Sequence, residues 1–110
     1  MNYEEMSNLQ INQLVANAVG VDAVENSGVV FGAVKHEGSN VVSVIGVVDY
    51  CNRPSDAMPI LIEMKIGFKW VNGSCTASSV LRGYHESTSD NPLRAAMIVF
   101  LMMEDAKNAD

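Results

Sequence analysis

Basic residues are scarce in this chain: seven lysines and arginines stand against thirteen aspartates and glutamates, and nowhere do they cluster. That scarcity excludes a nucleic-acid duplex as partner, because phosphate binding depends on grouped cations that release counterions. Cysteine is rarer still. Cys51 and Cys75 are too few and too far apart for a disulfide framework and read as free thiols. Neither His36 nor His85 stands at ligand spacing from them, so no metal is expected, and no motif calls for a cofactor. No apolar run reaches the roughly 18 residues a membrane-spanning helix needs, and the opening MNYEEMSN is acidic where a signal peptide would be basic. The expectation is a protein without membrane contact, in the cytoplasm.

What the chain does have is apolar content: 48% of its 110 residues, enough for a real core in one folded unit spanning 1–110. Its net charge of −6 is unevenly spread. Residues 1–52 hold six acids and one base, residues 53–94 four acids and five bases, and residues 95–110 three acids and one base. The near-neutral middle is where a small anion would be tolerated.

MSNLQINQLVANAVG predicts a helix from about Asn8 to Val19. Ser7 and Gln10 stand at capping-box spacing, Met6 and Ile11 as a hydrophobic staple, and Gly20 as the stop. Ile11, Leu14, Val15, Ala18 and Val19 form its core stripe, leaving Asn12, Gln13 and Asn17 on the expected wet face. GVVFGAV and VVSVIGVV read as two strands of a hairpin joined through KHEGSN, where Gly38 and Asn40 can take positive φ. Their nearly continuous apolar content suggests strands covered on both faces, or one central in its sheet. RPSDAMPILIEMK predicts a second helix starting near Ser55 or kinked at Pro59. IGFKWVNGSCTASSVL gives two strands about the Asn72-Gly73 turn. RGYHESTSD reads as a polar loop, and Asn91 or Asp90 followed by Pro92 opens a third helix, apolar nearly all round and therefore buried inside the domain or at a subunit contact. The resulting expectation is an α+β fold in the order α-β-β-α-β-β-α, with three helices on a four-stranded, mainly antiparallel sheet.

At DYCNRPSDAMPILIEMKI and at NPLRAAMIVFLMM the chain resembles the NinX-like family of small bacteriophage proteins, which share Asp-Tyr-Cys-Asn with a following Pro-x-Asp-Ala, and a closing Asn-Pro-Leu-Arg-Ala-Ala helix. It is more distantly similar to phage α-β-α sandwich domains. The resemblance covers about Tyr3 to Gly20 loosely and Asp49 to Met103 well. Residues 25 to 48 depart from the family pattern, and position 58, often tryptophan there, is Met58. It implies a phage protein of unknown function, acting in the cytoplasm of the bacterial host, and implies no reaction.

Two arginines pose the sharpest question. Arg53 and Arg94 each sit at a helix start, where the backbone dipole disfavours a cation unless something negative compensates. Asp49, Asp56 and Asp90 are near enough in sequence to be ordinary ion-pair partners. Otherwise the compensating charge belongs to a ligand. In that reading the candidate site is Tyr50, Asn52, Arg53, Trp70, Tyr84, Asn91 and Arg94: arginines for the anion, amides for hydrogen bonds, and aromatic rings to stack, although a tryptophan on an alternating strand is ordinarily core. The corresponding function is a non-enzymatic, anti-defence type of phage accessory protein that binds and sequesters a small anionic, nucleotide-like host molecule. The alternative is an acidic protein-binding module that inhibits or adapts a host protein, and self-association suits either. Cys51 with His36 or His85 as its base is the one nucleophile reading, and no local signature accompanies it.

Overall fold

Ser7 opens the first helix as its spacing predicts. A computed structural model describes residues 2–35 and 42–108, and in it α1 runs Asn8–Ala18, with the Ser7 side chain accepting from the Gln10 N–H and the Gln10 side chain accepting from the Ser7 N–H. Gly20 follows the helix at φ +85°. A short 3-10 helix, Tyr3–Glu5, precedes it. The remaining elements are β1 (Asp22–Asn26), β2 (Val29–Lys35), β3 (Val42–Val47), α2 (Pro54–Glu63), β4 (Gly67–Val71), β5 (Ser74–Ser79), β6 (His85–Ser89) and α3 (Pro92–Asn108).

The α+β class holds, but the single four-stranded sheet does not. Two three-stranded antiparallel sheets form instead, ordered β1-β2-β3 and β4-β5-β6. The extra strands are DAVEN and HESTS, two polar edge strands with little of the alternating apolar content that marks a strand in sequence. HESTS was expected to be loop. It forms a strand because its backbone pairs with β5 from Cys75↔Ser89 to Ser79↔His85, and because Ser87 points into the interior. The apolar β2 is central in its sheet, as its composition suggested, and pairs with β3 through a bulge at Gly32/Ala33 where Gly46 takes φ +128°. The turn assigned to Gly38 and Asn40 lies outside the described residues. The second hairpin is the one foreseen: Asn72 and Gly73 have φ of 51° and 82°, both positive, as a tight two-residue connection requires.

α1 and α3 lie between the sheets. α1 packs on β1 and β2 and also on α3, while α3 packs on β4, β5 and β6 and against α2. Eight residues of α3 are buried, from Ala95 to Leu101 and at Met103, and Ala95 and Ala96 are wholly enclosed. The missing polar face of this helix is thereby explained inside the domain: it is the central post of one core that also holds Ile11, Val15, Leu61 and Ala77. α2 starts at Pro54 and accommodates Pro59 at its sixth position, just past the first turn.

Asn12 departs from expectation. It is buried, not wet, because its amide spans two chain segments: Nδ2 donates to Asp49 Oδ1 at 2.9 Å and Oδ1 accepts from the Cys51 N–H at 3.1 Å. A buried amide with both ends satisfied costs little, and one stripped of a partner costs much.

Ile98→Ala is expected to lower unfolding free energy by about 2–5 kcal/mol through the cavity it leaves, measured from the urea midpoint. Asn12→Ala should lower it by roughly 1–3 kcal/mol by stranding the Cys51 N–H and Asp49.

Candidate functional site

The starts of α2 and α3 converge, and the residues that join them are those of the Asp-Tyr-Cys-Asn and Asn-Pro-Leu-Arg-Ala-Ala stretches. Asp49 folds the segment before α2: its carbonyl accepts the N–H groups of Asn52 and Arg53, at 3.2 and 2.8 Å, and its carboxylate accepts from the Asn52 amide. Asp56 accepts the Asp49 N–H at 3.0 Å. Asn91 caps α3, its Oδ1 accepting from the N–H groups of Leu93 and Arg94, while its Nδ2 donates to the Cys51 carbonyl at 2.8 Å and to Asn52 Oδ1 at 3.2 Å. One asparagine thus serves as helix cap and as the bridge between two helices.

Arg94 is compensated by backbone, not by an aspartate. Its terminal nitrogens donate to Asn8 Oδ1 at 2.7 Å and to the carbonyls of Met6, Glu4 and Tyr3, the last two at 3.2 and 3.4 Å. It gathers carbonyls of the 3-10 helix and of the residue that ends it, the Tyr3 carbonyl also accepting the Met6 N–H at 3.1 Å. Arg53 is exposed, and its Nη1 donates to the Val47 carbonyl at 3.1 Å. Among the described residues the ion pair present is Arg82–Glu104, at 3.3 Å.

The aromatic candidates separate. Tyr50 is buried at 6% exposure, and burial with the neighbouring Asp56 charge holds its phenol above the ordinary range. Tyr84 is exposed and donates to Glu86 at 2.6 Å, but it precedes β6, at the end of the sheet opposite Ser89. Trp70 is 63% exposed, against the usual habit of a strand tryptophan. With Phe68, 41% exposed, it forms one wall of an open groove of about 600 Å³ between β4 and the two helix starts. Pro54, Leu93, Asn52 and Asn91 complete the walls, and Asp90 supplies a carboxylate whose Oδ1 accepts from Ser74.

The structure therefore brings together Asn52, Trp70 and Asn91. Arg53 adjoins them in sequence without lining the groove, Arg94 faces the N-terminal segment, and Tyr50 and Tyr84 lie elsewhere. Sequence reasoning missed Phe68 and Asp90 as groove residues. Their signal was slight: an aromatic two positions before Trp70 on one strand face, and an acid immediately before the cap.

The thiols are placed for packing. Cys51 is wholly buried, and burial pushes its thiol up to about 12, the Arg94 charge lowering it only in part and Asp49 raising it. His85 is at the far end of β6 from the helix starts, and His36 lies outside the described residues. No three His, Cys, Asp or Glu side chains among the described residues could hold a metal ion.

Fold and site together define a small α+β domain whose three helix starts are knotted by amide hydrogen bonds beside an exposed aromatic groove. The family model described as Bacteriophage P22, NinX matches residues 2–104, and the chain belongs to that family; it is a bacteriophage accessory protein. No curated protein matches the chain. No helix among the described residues is long and apolar enough to cross a membrane.

Arg94→Ala is expected to cost about 1.5–3 kcal/mol in urea unfolding, whereas Arg53→Ala should stay within roughly 0.5 kcal/mol. Alkali provides a second check. Burial favours the neutral thiol of Cys51, so the folded state holds this proton more tightly than the unfolded chain. The resulting stability is complete below the ordinary value of 9.0 and is lost as pH rises toward about 12. Tyr3, raised from 10.0 to about 12 by burial and by its bond to Asp105, acts in the same direction over the upper part of that window. The urea midpoint should fall across this range, and less steeply in Cys51→Ala.

Proposed function

We propose that this phage protein acts without catalysis, as an acidic module that binds a host protein through the groove beside Trp70. The observation that supports it most is the exposure of the chain's sole tryptophan, at 63%, on a strand at the sheet edge with Phe68 beside it. Exposed aromatic pairs at a concave surface are the usual anchors of protein contacts. The lining residues include the carboxylate of Asp90 and no lysine or arginine, which disfavours an anion in the groove itself. The net charge of −6 favours a basic partner surface and accelerates encounter with it.

A second reading keeps the small anionic, nucleotide-like ligand, with a base stacked on Trp70. Arg53 favours it: the guanidinium is exposed beside Asn52 and Pro54 and among the described residues makes one hydrogen bond, to the Val47 carbonyl, a setting that suits a phosphate. Against it, the terminal nitrogens of Arg94 already serve carbonyls of the protein.

Trp70 reports on both readings through its own fluorescence. Titration with a nucleotide such as ATP should leave its emission unchanged; a saturable shift lost in Arg53→Ala would favour the second reading and overturn the first. Trp70→Ala should unfold within roughly 0.5 kcal/mol of the native chain, since the ring is exposed, while losing its function during infection.

A further inference from the structure

We infer that the partner docks as an extended, basic segment added as a fourth strand along the free edge of β4, with an arginine or lysine seated over Trp70 and Phe68 toward Asp90. The inference rests on the protein-binding reading above and names the chemistry of the partner.

Three features of β4 carry it. First, β4 is an edge: its sheet is ordered β4-β5-β6, and every residue from Gly67 to Val71 is exposed. Second, the edge offers the right backbone groups. The two-residue turn at Asn72-Gly73 makes Val71↔Ser74 the hydrogen-bonded closing pair, and alternation then gives Lys69 and Gly67 the same status toward β5. Phe68 and Trp70 direct their N–H and C=O groups away from β5, to the open side. The residues whose rings line the groove are thus those whose backbone is free to pair with an incoming strand.

Third, charge selects the occupant. Cross-strand partners share a face, and Trp70 and Phe68 pair with the buried Cys75 and Ala77, so the rings project on the side of the helices. A side chain entering there from an added strand meets two ring faces and the Asp90 carboxylate, with no lysine or arginine among the lining residues. A guanidinium or ammonium group suits that setting, through attraction to the rings and to the acid. Lys69 lies on the opposite face of β4 and does not interfere.

Lys69 also argues against a second copy as the occupant. It is the central residue of the five-residue strand, so two-fold antiparallel self-pairing about the strand centre would set Lys69 directly against its own counterpart. Like charges placed opposite one another destabilise a pair, and a lysine in an edge strand is a common guard against self-association.

The test uses the full chain and synthetic blocked peptides of about seven residues, near the usual length of a strand. One alternates valine with arginine, one alternates valine with glutamate, and one repeats the arginine sequence with alternate backbone nitrogens methylated so that they cannot donate. Calorimetry measures affinity and Trp70 emission reports contact. The arginine peptide should bind at least about tenfold tighter than the glutamate peptide, and more weakly as salt rises. Methylation should weaken it about tenfold or more by removing strand hydrogen bonds. Asp90→Asn should weaken it about two- to fivefold, and Trp70→Ala about tenfold or more, each with an unchanged far-ultraviolet spectrum.

Equal binding of the methylated peptide overturns strand addition while leaving a basic protein partner in place. Equal or tighter binding of the glutamate peptide overturns the charge assignment. If no peptide shifts Trp70 emission and a nucleotide does, the protein-binding reading itself falls, and this inference with it.

Discussion

The fold depends on a set of side-chain amides that hold three helix starts at one place. Asn12 reaches from α1 to Asp49 and Cys51, Asn52 folds back on Asp49, and Asn91 reaches from α3 to Cys51 and Asn52. Helix starts carry unpaired N–H groups and a positive field, and bringing three of them together is unfavourable unless acceptors are placed among them. The carboxylates of Asp49 and Asp56 and the carbonyl oxygens of the asparagines provide those acceptors. Once this end is fixed, the alanines at 95 and 96 allow close approach, and the rest of α3 fills the space between the two sheets.

The same constraint accounts for the two family signatures. In Asp-Tyr-Cys-Asn and Asn-Pro-Leu-Arg-Ala-Ala, the acid, the asparagines, the buried thiol, the arginine and the two alanines all serve the junction. Arg94 in particular is a clamp. A cation in the first turn of a helix is tolerated because it draws together the Asn8 amide oxygen and the carbonyls of Tyr3, Glu4 and Met6, anchoring the segment from Tyr3 to Asn8 to α3. In this chain the motif residues serve the fold. The groove that we propose acts on a partner borrows Asn52 and Asn91 from the junction but presents Phe68, Trp70 and Asp90, which lie outside both signatures.

What could be read from sequence was what is local. The Ser7–Gln10 box, the Asn72-Gly73 turn and the Asn91-Pro92 start declare themselves within four residues, and each forms as expected. What could not be read depended on distant partners. The strands DAVEN and HESTS are polar, and only pairing with β2 and β5 reveals them. Asn12 shows no sign of burial in a helical repeat, since its interior place follows from a hydrogen bond 37 residues away. For the site, the aromatic character of Trp70 was visible while its exposure was not: sheet order made β4 an edge, and sheet order is a tertiary outcome.

The bond from the Tyr3 hydroxyl to Asp105 joins positions 102 residues apart. With the Arg94 contacts and the Ser87–Glu4 bond, it closes the chain between Tyr3 and Asp105 into a ring. Unravelling from an end would have to break the same bonds that seat α3 against the second sheet, so loss of structure should be concerted. Such a ring also tolerates being opened elsewhere: a circular permutant joined across Tyr3 and Asp105 and cut at the exposed Asn72-Gly73 turn would keep this architecture while leaving β4 at the edge of its sheet.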